Sequence, residues 1–305
     1  MKYHQIIYKS PLISQEVKDG LQQEIAGLQK KNGAPAIIRS SSKKATEEDA
    51  RAIFGIDFIS TTEAERVYGK GKKPKIPFSI STLEKAKILD FHLVSKIKRM
   101  SLADMALALK GKKCHDGGLL LWKDQFDSDN GEIKKSAWFV GDSKVTSECV
   151  MSVGWSLSMK GALDQTSDKK FIPQLRLNAN FLSDKLYAVG MTKLARKAIA
   201  EFNEEENRLT DLMESDWKKC TEESMKLLLV RHFMENSVDT LNRLVLEEQI
   251  HERKLLTNMY IRNNTSSTVG VVLDSGGFDS VGVRVAGAGM DVRIGNLGLS
   301  PSCTE

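Results

Sequence analysis

The chain has 305 residues, of which 41% are hydrophobic and 28% are charged. These fractions are ordinary for a globular protein, and they exclude both disorder throughout and a bundle of membrane-spanning helices. No run of sequence approaches the roughly 20 apolar residues that cross a bilayer. The N-terminus has no apolar stretch followed by a small-residue cleavage site. We therefore expect a chain that is not secreted and has no transmembrane helix, with two domains or one large β domain.

The net charge of +5 conceals an uneven distribution. Residues 1–116 carry 22 Lys or Arg against 13 Asp or Glu, so the remainder of the chain is mildly acidic. Between Arg66 and Lys113 there are 13 basic residues and only three acidic ones. An excess of this size indicates a polyanionic partner, although a plain solvated surface can have the same composition.

Residue types that commonly carry chemistry are dispersed along the chain. The four cysteines form no CxxC pattern, which favours free thiols over a disulfide framework or a zinc site. None of the five histidines lies in a known nucleophile motif, and no pair of carboxylates stands out as an acid–base couple. The sequence therefore predicts no enzyme activity, no cofactor and no metal.

In chain order, residues 1–77 are predicted to be a basic, helical N-terminal region that ends in a linker. A helix is predicted from Thr46, as its N-cap, to about Phe54, with Asp49 at its third position. Gly69–Pro77 is a Lys, Gly and Pro stretch that cannot form regular structure and is the predicted linker. An earlier helical pattern comprises Val17, Leu21, Ile25 and Leu28.

Residues 78–190 are predicted to be a β core of short strands separated by turns. Asp127–Gly131 has the composition of a turn. Ser101–Leu109 fits a strand or a helix, and the sequence does not decide between them. The spacing of the turns favours a sandwich or a barrel. Strands are predicted at Ile88–Val94, Val150–Met159 and Phe171–Leu177.

Residues 191–262 are predicted to be a helical region of two or three helices. They either pack back on the β core or contact each other, and the heptad register is too short to predict a coiled coil. Residues 263–305 are rich in glycine and are predicted to be a flexible tail, which could alternatively add an edge strand to a partner. The apolar stripe of the helical region includes Leu227, Val230, Met234, Val238, Leu241 and Val245.

One block of the β region carries a resemblance. Gly117–Phe126 is an apolar run ending in Asp124, after which come a polar turn and a second run, Ser136–Phe139. Gly190 lies 66 residues after the aspartate. This order resembles the central signature of the 30K superfamily of plant viral movement proteins. The chain departs from the family pattern at Trp122, where a leucine is usual, and lacks the basic residue that usually stands two positions after the aspartate.

The resemblance, together with the predicted elements, implies an α+β fold with a central antiparallel β-sandwich of jelly-roll type and helical flanks at both ends. It implies a movement protein that binds single-stranded viral nucleic acid or nucleocapsid without sequence preference. Such a protein associates with host membrane and plasmodesmal factors and carries the nucleic acid from cell to cell through plasmodesmata. We expect it at plasmodesmata, at the cell periphery or in the cytoplasm. Asp124 and Gly190 would be structural, and a homo-oligomer is left open.

Basic residues of the positive segment are predicted to contact phosphates, with affinity that falls as salt rises. Two other interpretations stay open. A viral nucleocapsid or coat-type protein shares the basic first half, and an adaptor for host factors would use the helical region and the tail. The predicted nucleic-acid-binding residues are Lys70, Lys72, Lys73, Lys75, Lys85, Lys87, Lys96, Lys98, Arg99, Lys110, Lys112 and Lys113.

Overall fold

The computed structural model describes residues 43–134, 142–189 and 191–304. The helical pattern predicted within residues 17–28 lies outside these ranges, as does Gly190 of the resemblance. Within them the chain has a mixed α+β fold that combines helices with several small sheets and forms no closed barrel.

The helices and strands are numbered here in chain order. The α-helices are α1 Glu47–Phe54, α2 Thr61–Tyr68, α3 Ile80–Ile88, α4 Leu102–Ala108, α5 Ser143–Glu148, α6 Phe171–Val189, α7 Thr192–Ser215, α8 Trp217–Ser224, α9 Leu228–Phe233 and α10 Ser237–His251. The strands are β1 Phe58–Ile59, β2 Phe91–Lys96, β3 Met100–Ser101, β4 Phe126–Asp127, β5 Glu132–Ile133, β6 Val150–Met151, β7 Gly154–Met159, β8 Tyr260–Ser266, β9 Val272–Asp279, β10 Gly282–Ala288, β11 Leu297–Gly298 and β12 Ser302–Thr304.

Helix starts in the first half are fixed by reciprocal caps. The Thr46 hydroxyl accepts the N–H of Asp49 at 3.1 Å, and the Asp49 carboxylate accepts the N–H of Thr46 at 2.9 Å. The helix predicted from Thr46 is therefore confirmed. Ser101 and Asp104 form the same capping box, which satisfies the first N–H groups of a helix and not of a strand. Of the segment that the sequence left open, Ser101–Leu109, the residues Leu102–Ala108 are accordingly helical, and Ser101 is their N-cap.

A first four-stranded sheet has the order β1-β2-β7-β12. The two central strands are antiparallel, with Leu93 opposite Leu157 and Phe91 opposite Met159. The strand predicted at Ile88–Val94 is confirmed for Phe91–Val94, whereas Ile88 ends α3, and the strand continues to Lys96. Within the stretch predicted as one strand, Val150–Met159, two short strands form, and both join sheets.

A second sheet has the order β10-β9-β8-β11 and is built from the segment predicted to be a flexible tail. That prediction is wrong for the described residues. Val272, Leu273, Phe278, Val283 and Val285 are fully buried and hold the strands on the core. Burial of this apolar surface offsets the entropic cost of ordering a glycine-rich segment.

The strand predicted at Phe171–Leu177 is also wrong, because these residues begin helix α6. Phe171, Leu175, Ala179 and Leu182 are buried to 1% exposure or less and recur every three to four residues, the period of a helix. Pro173 stands in the first turn, where its missing N–H costs nothing. With α4 and α6 in place of strands, the interval 78–190 is not a β core.

Helix α10 lies between the two sheets and packs on both of them. Each residue from Ser237 to Glu248 is buried. The predicted apolar stripe is buried too. Both arrangements left open by the sequence occur, because α10 packs on strands of both sheets whereas α7 packs on α6, α8 and α9. Gly69–Pro77 has no regular structure, as predicted, but it is not a linker between domains. Its Ile76 side chain is buried, and the indole N–H of Trp155 donates to the Pro74 carbonyl at 3.0 Å.

Candidate nucleic-acid interface

Basic residues from three parts of the chain meet at the C-terminal end of α2. The backbone N–H of Lys72 donates to the carbonyl of Ile97 at 2.8 Å, which places the segment after α2 beside the segment after β2. Gly71 makes this approach feasible, because a Cβ at that position would lie 2.7 Å from the Ile97 carbonyl oxygen.

Two lysines fasten the arrangement by donating to carbonyls at the end of α2. Lys98 Nζ donates to the Tyr68 carbonyl and Lys112 Nζ to the Val67 carbonyl, each at 2.5 Å. A cation at this end of a helix interacts favourably with the helix dipole. We call the resulting cluster the basic edge. It comprises Arg66, Lys70, Lys72, Lys98, Arg99, Lys110, Lys112 and Lys113.

Exposure divides the basic edge into two groups. Lys98 and Lys112 are half-buried, and burial lowers the pKa of Lys112. The remaining six members are exposed: Arg66, Lys70, Lys72, Arg99, Lys110 and Lys113. Long exposed side chains can reach the phosphates of an extended strand. The two half-buried lysines position the loops that carry the exposed ones.

Two further predicted lysines lie next to the basic edge along the chain. Lys73 and Lys75 are exposed, and Lys73 Nζ lies 3.8 Å from a carboxylate oxygen of Glu65. An exposed ion pair at this distance contributes little, so it leaves Lys73 available for a phosphate.

Three predicted residues do not join this surface. Lys85 and Lys87 belong to α3, which packs on α1 and α6, and Lys87 pairs with Asp57. Lys96 is wrong as a nucleic-acid contact because its side chain is buried, with its Nζ 3.2 Å from Asp239. The sequence could not separate Lys96 from Lys98, since both belong to one run of charge. Lys96 is the last residue of β2 and is buried, whereas Lys98 follows the strand and is half-buried.

The structure places Asp124 differently from the predicted strand end. It lies in an exposed turn, and its carboxylate accepts no hydrogen bond from the described residues. Its neighbour Gln125 anchors the segment instead. The Gln125 amide donates to the carbonyl of Val285, and its oxygen accepts the N–H of Val285 at 3.0 Å. The turn that follows is fixed by Asp127, which accepts the N–H groups of Asp129 and Asn130 at 3.1 Å.

Sequence reasoning missed a buried polar network on α10. Glu235, just before the helix, accepts hydrogen bonds from the hydroxyls of Ser156 and Ser158 at 2.7 and 2.9 Å. Its other oxygen lies 2.9 Å from Nη2 of the fully buried Arg243. Burial opposes ionisation of Glu235, but Arg243 and the two hydroxyls outweigh it and hold the pKa below its usual value.

The network continues at Glu247, one turn after Arg243 on α10. Its carboxylate is bonded to His92 Nδ1 at 2.9 Å, to His251 Nδ1 at 3.1 Å and to Arg253. Burial raises the pKa of Glu247, but these partners outweigh it and lower the pKa well below its usual range. Burial also lowers the pKa of His92. Polar residues four apart on a helix are typical of a solvated face, so no local pattern in the sequence indicates this buried network.

No protein-family model, no curated protein and no solved structure matches the chain. Among the described residues, no helix combines the length and the apolar character needed to cross a membrane. No group of three or more His, Cys, Asp or Glu side chains in those ranges could hold a metal ion. All four cysteines are buried and no disulfide joins them.

Proposed function

We propose that the chain binds single-stranded nucleic acid through phosphate contacts made by the basic edge. The observation that carries the proposal is the convergence of three basic segments at the end of α2, which turns a charge excess in the sequence into one positively charged surface. Phosphate contacts by Lys and Arg give affinity without reading sequence directly. The proposal includes no catalytic step.

The more specific form of the proposal is a plant viral movement protein that carries viral nucleic acid through plasmodesmata. It rests on the resemblance of the Gly117–Phe126 block to the 30K superfamily. The block lies against β10: the Trp122 N–H donates to the Val283 carbonyl at 3.0 Å. Host plasmodesmal and membrane factors would then be the partners, and plasmodesmata the location.

Salt dependence of strand binding tests the shared claim. The triple substitution Lys70→Ala, Lys72→Ala and Arg99→Ala removes three exposed charges of the basic edge. Because each phosphate contact to a single strand contributes about −0.7 to the slope of log K against log [salt], the slope should become shallower by about 2. Fluorescence anisotropy with a labelled oligouridylate measures both affinity and slope.

A matched control is available on α7. Lys193, Arg196 and Lys197 are also exposed and carry the same charge, so their replacement by Ala changes net charge equally. This variant should keep most of the affinity and the slope. Equal losses in the two variants would show that net charge, and not the basic edge, governs binding. Affinity that does not weaken with salt in the unmodified protein would overturn the proposal.

Expression in leaf epidermis separates the movement protein from the alternative, a nucleocapsid or coat-type protein. A fluorescent fusion of a movement protein should give spots at cell walls and spread to neighbouring cells, and the basic-edge triple variant should spread less. A nucleocapsid should instead yield ordered oligomers that contain RNA with a fixed footprint. Recovery of such oligomers without wall spots would replace the movement role by the structural one.

A further inference from the structure

A small cavity opens on the second sheet, on the side of Asp274 and Tyr260. Its volume is about 150 Å³, and its lining is largely apolar. Ile294 and Asn296 at its rim are exposed, so the cavity is open to solvent. The lining residues are Tyr260, Asp274, Ala286, Gly287, Ile294, Asn296 and Leu297.

Asp274 is the unusual member of this lining. It is only 4% exposed, yet its carboxylate forms no hydrogen bond and no ion pair with the described part of the chain. Its cross-strand neighbours are Ala286 on β10 and Arg262 on β8. Burial raises the pKa of Asp274 to about 7 despite the attraction of Arg262. The Asp274 oxygens are not fully enclosed, because the cavity opens to solvent, so a ligand that displaces water from them has to supply donors of its own.

Arg262 does not neutralise this carboxylate, because its guanidinium is committed elsewhere. Nη1 donates to the Gly289 carbonyl at 3.2 Å and Nη2 to the Val292 carbonyl at 3.0 Å. These bonds hold the segment that precedes Ile294 and Asn296 against the sheet. The cavity is therefore formed by ordered parts of the chain. Strand β9 supplies the acceptor, Asp274, and the segment held by Arg262 supplies part of the wall.

Tyr260 provides an aromatic surface beside the acceptor. Its ring crosses β9 at Gly277. A Cβ at Gly277 would lie 2.3 Å from the phenol oxygen of Tyr260, so a side chain at this position would collide with the ring. Gly277 also has φ of +59°, a conformation that favours glycine. Arg284 lies close enough to the Tyr260 phenol to oppose the rise in its pKa that burial causes.

The shape of the acceptor decides between two kinds of donor. Arg262 and Arg284 lie nearby, but Arg284 pairs with Asp279 at 3.0 Å and Arg262 is attracted by Asp291 as well as by Asp274. Three aspartates thus offset the two arginines, and the choice of ligand rests on its shape and its pattern of donors. A neutral planar ligand with two adjacent N–H donors suits a carboxylate that has two free oxygens. Among the nucleobases only guanine presents two adjacent donors, N1–H and the 2-amino group, on its Watson–Crick edge. Single-stranded bases are commonly bound by such edge contacts together with stacking on aromatic residues.

We infer that the Asp274 cavity binds the Watson–Crick edge of a guanine base, with Tyr260 as its aromatic neighbour. The inference rests on the proposed binding of single-stranded nucleic acid and adds a preference for one base to the phosphate contacts. A cavity of about 150 Å³ is large enough to hold a benzene ring, so it receives the six-membered ring of the purine. The sugar and phosphate then lie outside.

Titration of the full-length protein with mononucleotides tests the inference. Guanosine, inosine and adenosine 5′-monophosphates share sugar and phosphate, and inosine lacks only the 2-amino donor. Guanosine monophosphate should bind about 10-fold more tightly than either, within the range for a bidentate base contact. Asp274→Asn, which keeps the size of the side chain, should abolish the difference. Asp291→Asn, at an exposed aspartate of the neighbouring segment, should preserve it.

Each outcome is informative for one of the two proposals. Equal binding of the three nucleotides, or a guanosine preference that survives Asp274→Asn, overturns the guanine site. If the salt-dependent binding of oligouridylate persists in that case, the proposed function stands. If guanosine monophosphate binds as expected but no strand does, the site stands and the proposed function falls.

Binding of butylammonium without any nucleotide would assign the cavity to a cation and overturn the inference. Thermal melting of Asp274→Asn, expected above that of the unmodified protein, shows that the variant folds.

Discussion

At the scale of single residues, Gln125 has a role that its neighbour Asp124 lacks. Its side-chain amide pairs with both backbone groups of Val285 and so continues the second sheet beyond the last paired strand. The Gln125 side chain is buried, whereas Asp124 is exposed. The resemblance implies a structural role for Asp124, whereas in the structure the segment is anchored one position later, by the amide of Gln125.

Adjacent alanine substitutions distinguish the two residues. Gln125→Ala leaves a buried N–H and a buried C=O of Val285 without partners, so we expect it to lower the free energy of unfolding by about 2–4 kcal/mol. Asp124→Ala should change it by less than about 0.5 kcal/mol, as is usual for exposed positions. Urea unfolding followed by tryptophan fluorescence measures both. A larger effect of Asp124→Ala would restore the anchoring role to the aspartate.

At the scale of elements, α10 is a polar helix in an apolar place. It lies between two sheets, and the charges it buries are compensated by groups on other elements, such as His92 of β2 for Glu247 and Lys96 of β2 for Asp239. Buried ion pairs are often no more stabilising than apolar residues of the same size, but breaking one leaves an uncompensated charge. The pair of Glu235 and Arg243 is therefore expected to fix the position of the helix between the sheets.

A double-mutant cycle tests this expectation. Arg243→Met should lower the free energy of unfolding by about 3–5 kcal/mol because Glu235 then remains charged and buried. Adding Glu235→Gln to the same chain should recover part of the loss, so that the double variant is more stable than Arg243→Met alone. Additive losses would mean that the two side chains are not coupled. Calorimetric or urea unfolding of the four proteins gives the coupling energy.

The success of sequence reasoning about the elements depended on how local the signal was. The Thr46 cap and the irregular stretch at Gly69–Pro77 were predicted because short-range hydrogen bonding and backbone restriction determine them. The start of helix α6 was predicted to be a strand because a few of its first seven residues alternate between apolar and polar. The helical period of the same segment becomes clear only over about twelve residues. The C-terminal strands were missed because contacts with α10 keep this segment ordered. Such contacts between distant residues leave no pattern in the local sequence. Seven of the eight residues of the basic edge were predicted from the sequence and Arg66 was missed, but the sequence did not indicate which of them tertiary contacts would bury.

At the scale of the whole molecule, Asp57 joins segments that are distant in sequence. Its carboxylate contacts Lys87 at the end of α3, Lys160 after β7 and Arg253 after α10, the last two at 3.2 and 2.9 Å. Burial opposes its ionisation, but hydrogen bonds from these three cations outweigh the effect and lower the pKa of Asp57 to about 2. One carboxylate thereby connects the N-terminal, middle and C-terminal thirds of the described fold.

This junction predicts a defined acid sensitivity. Because the pKa is lower in the folded chain than in the unfolded one, the contribution to stability is complete above about pH 4. It is lost as the pH falls from about 4 to about 2. Asp57→Asn should be less stable at pH 7 and should lose less stability across that interval than the unmodified protein. Urea unfolding at pH 7, 4 and 3 measures the difference. Asp184→Asn, at an exposed position, is the control, and equal pH profiles for both variants would refute the prediction.

The strand order of the first sheet has a consequence for synthesis. β1 begins at residue 58 and β12 ends at residue 304, yet both belong to the same four-stranded sheet. All of residues 58–304 must therefore be synthesised before the sheet can be completed. Until then the β7 edge that β12 will cover presents unpaired N–H and C=O groups, a template for pairing with other nascent chains. The β7 edge should thus need protection by chaperones until β12 has been synthesised, and folding of the sheet should be slow because its contacts span so much of the sequence.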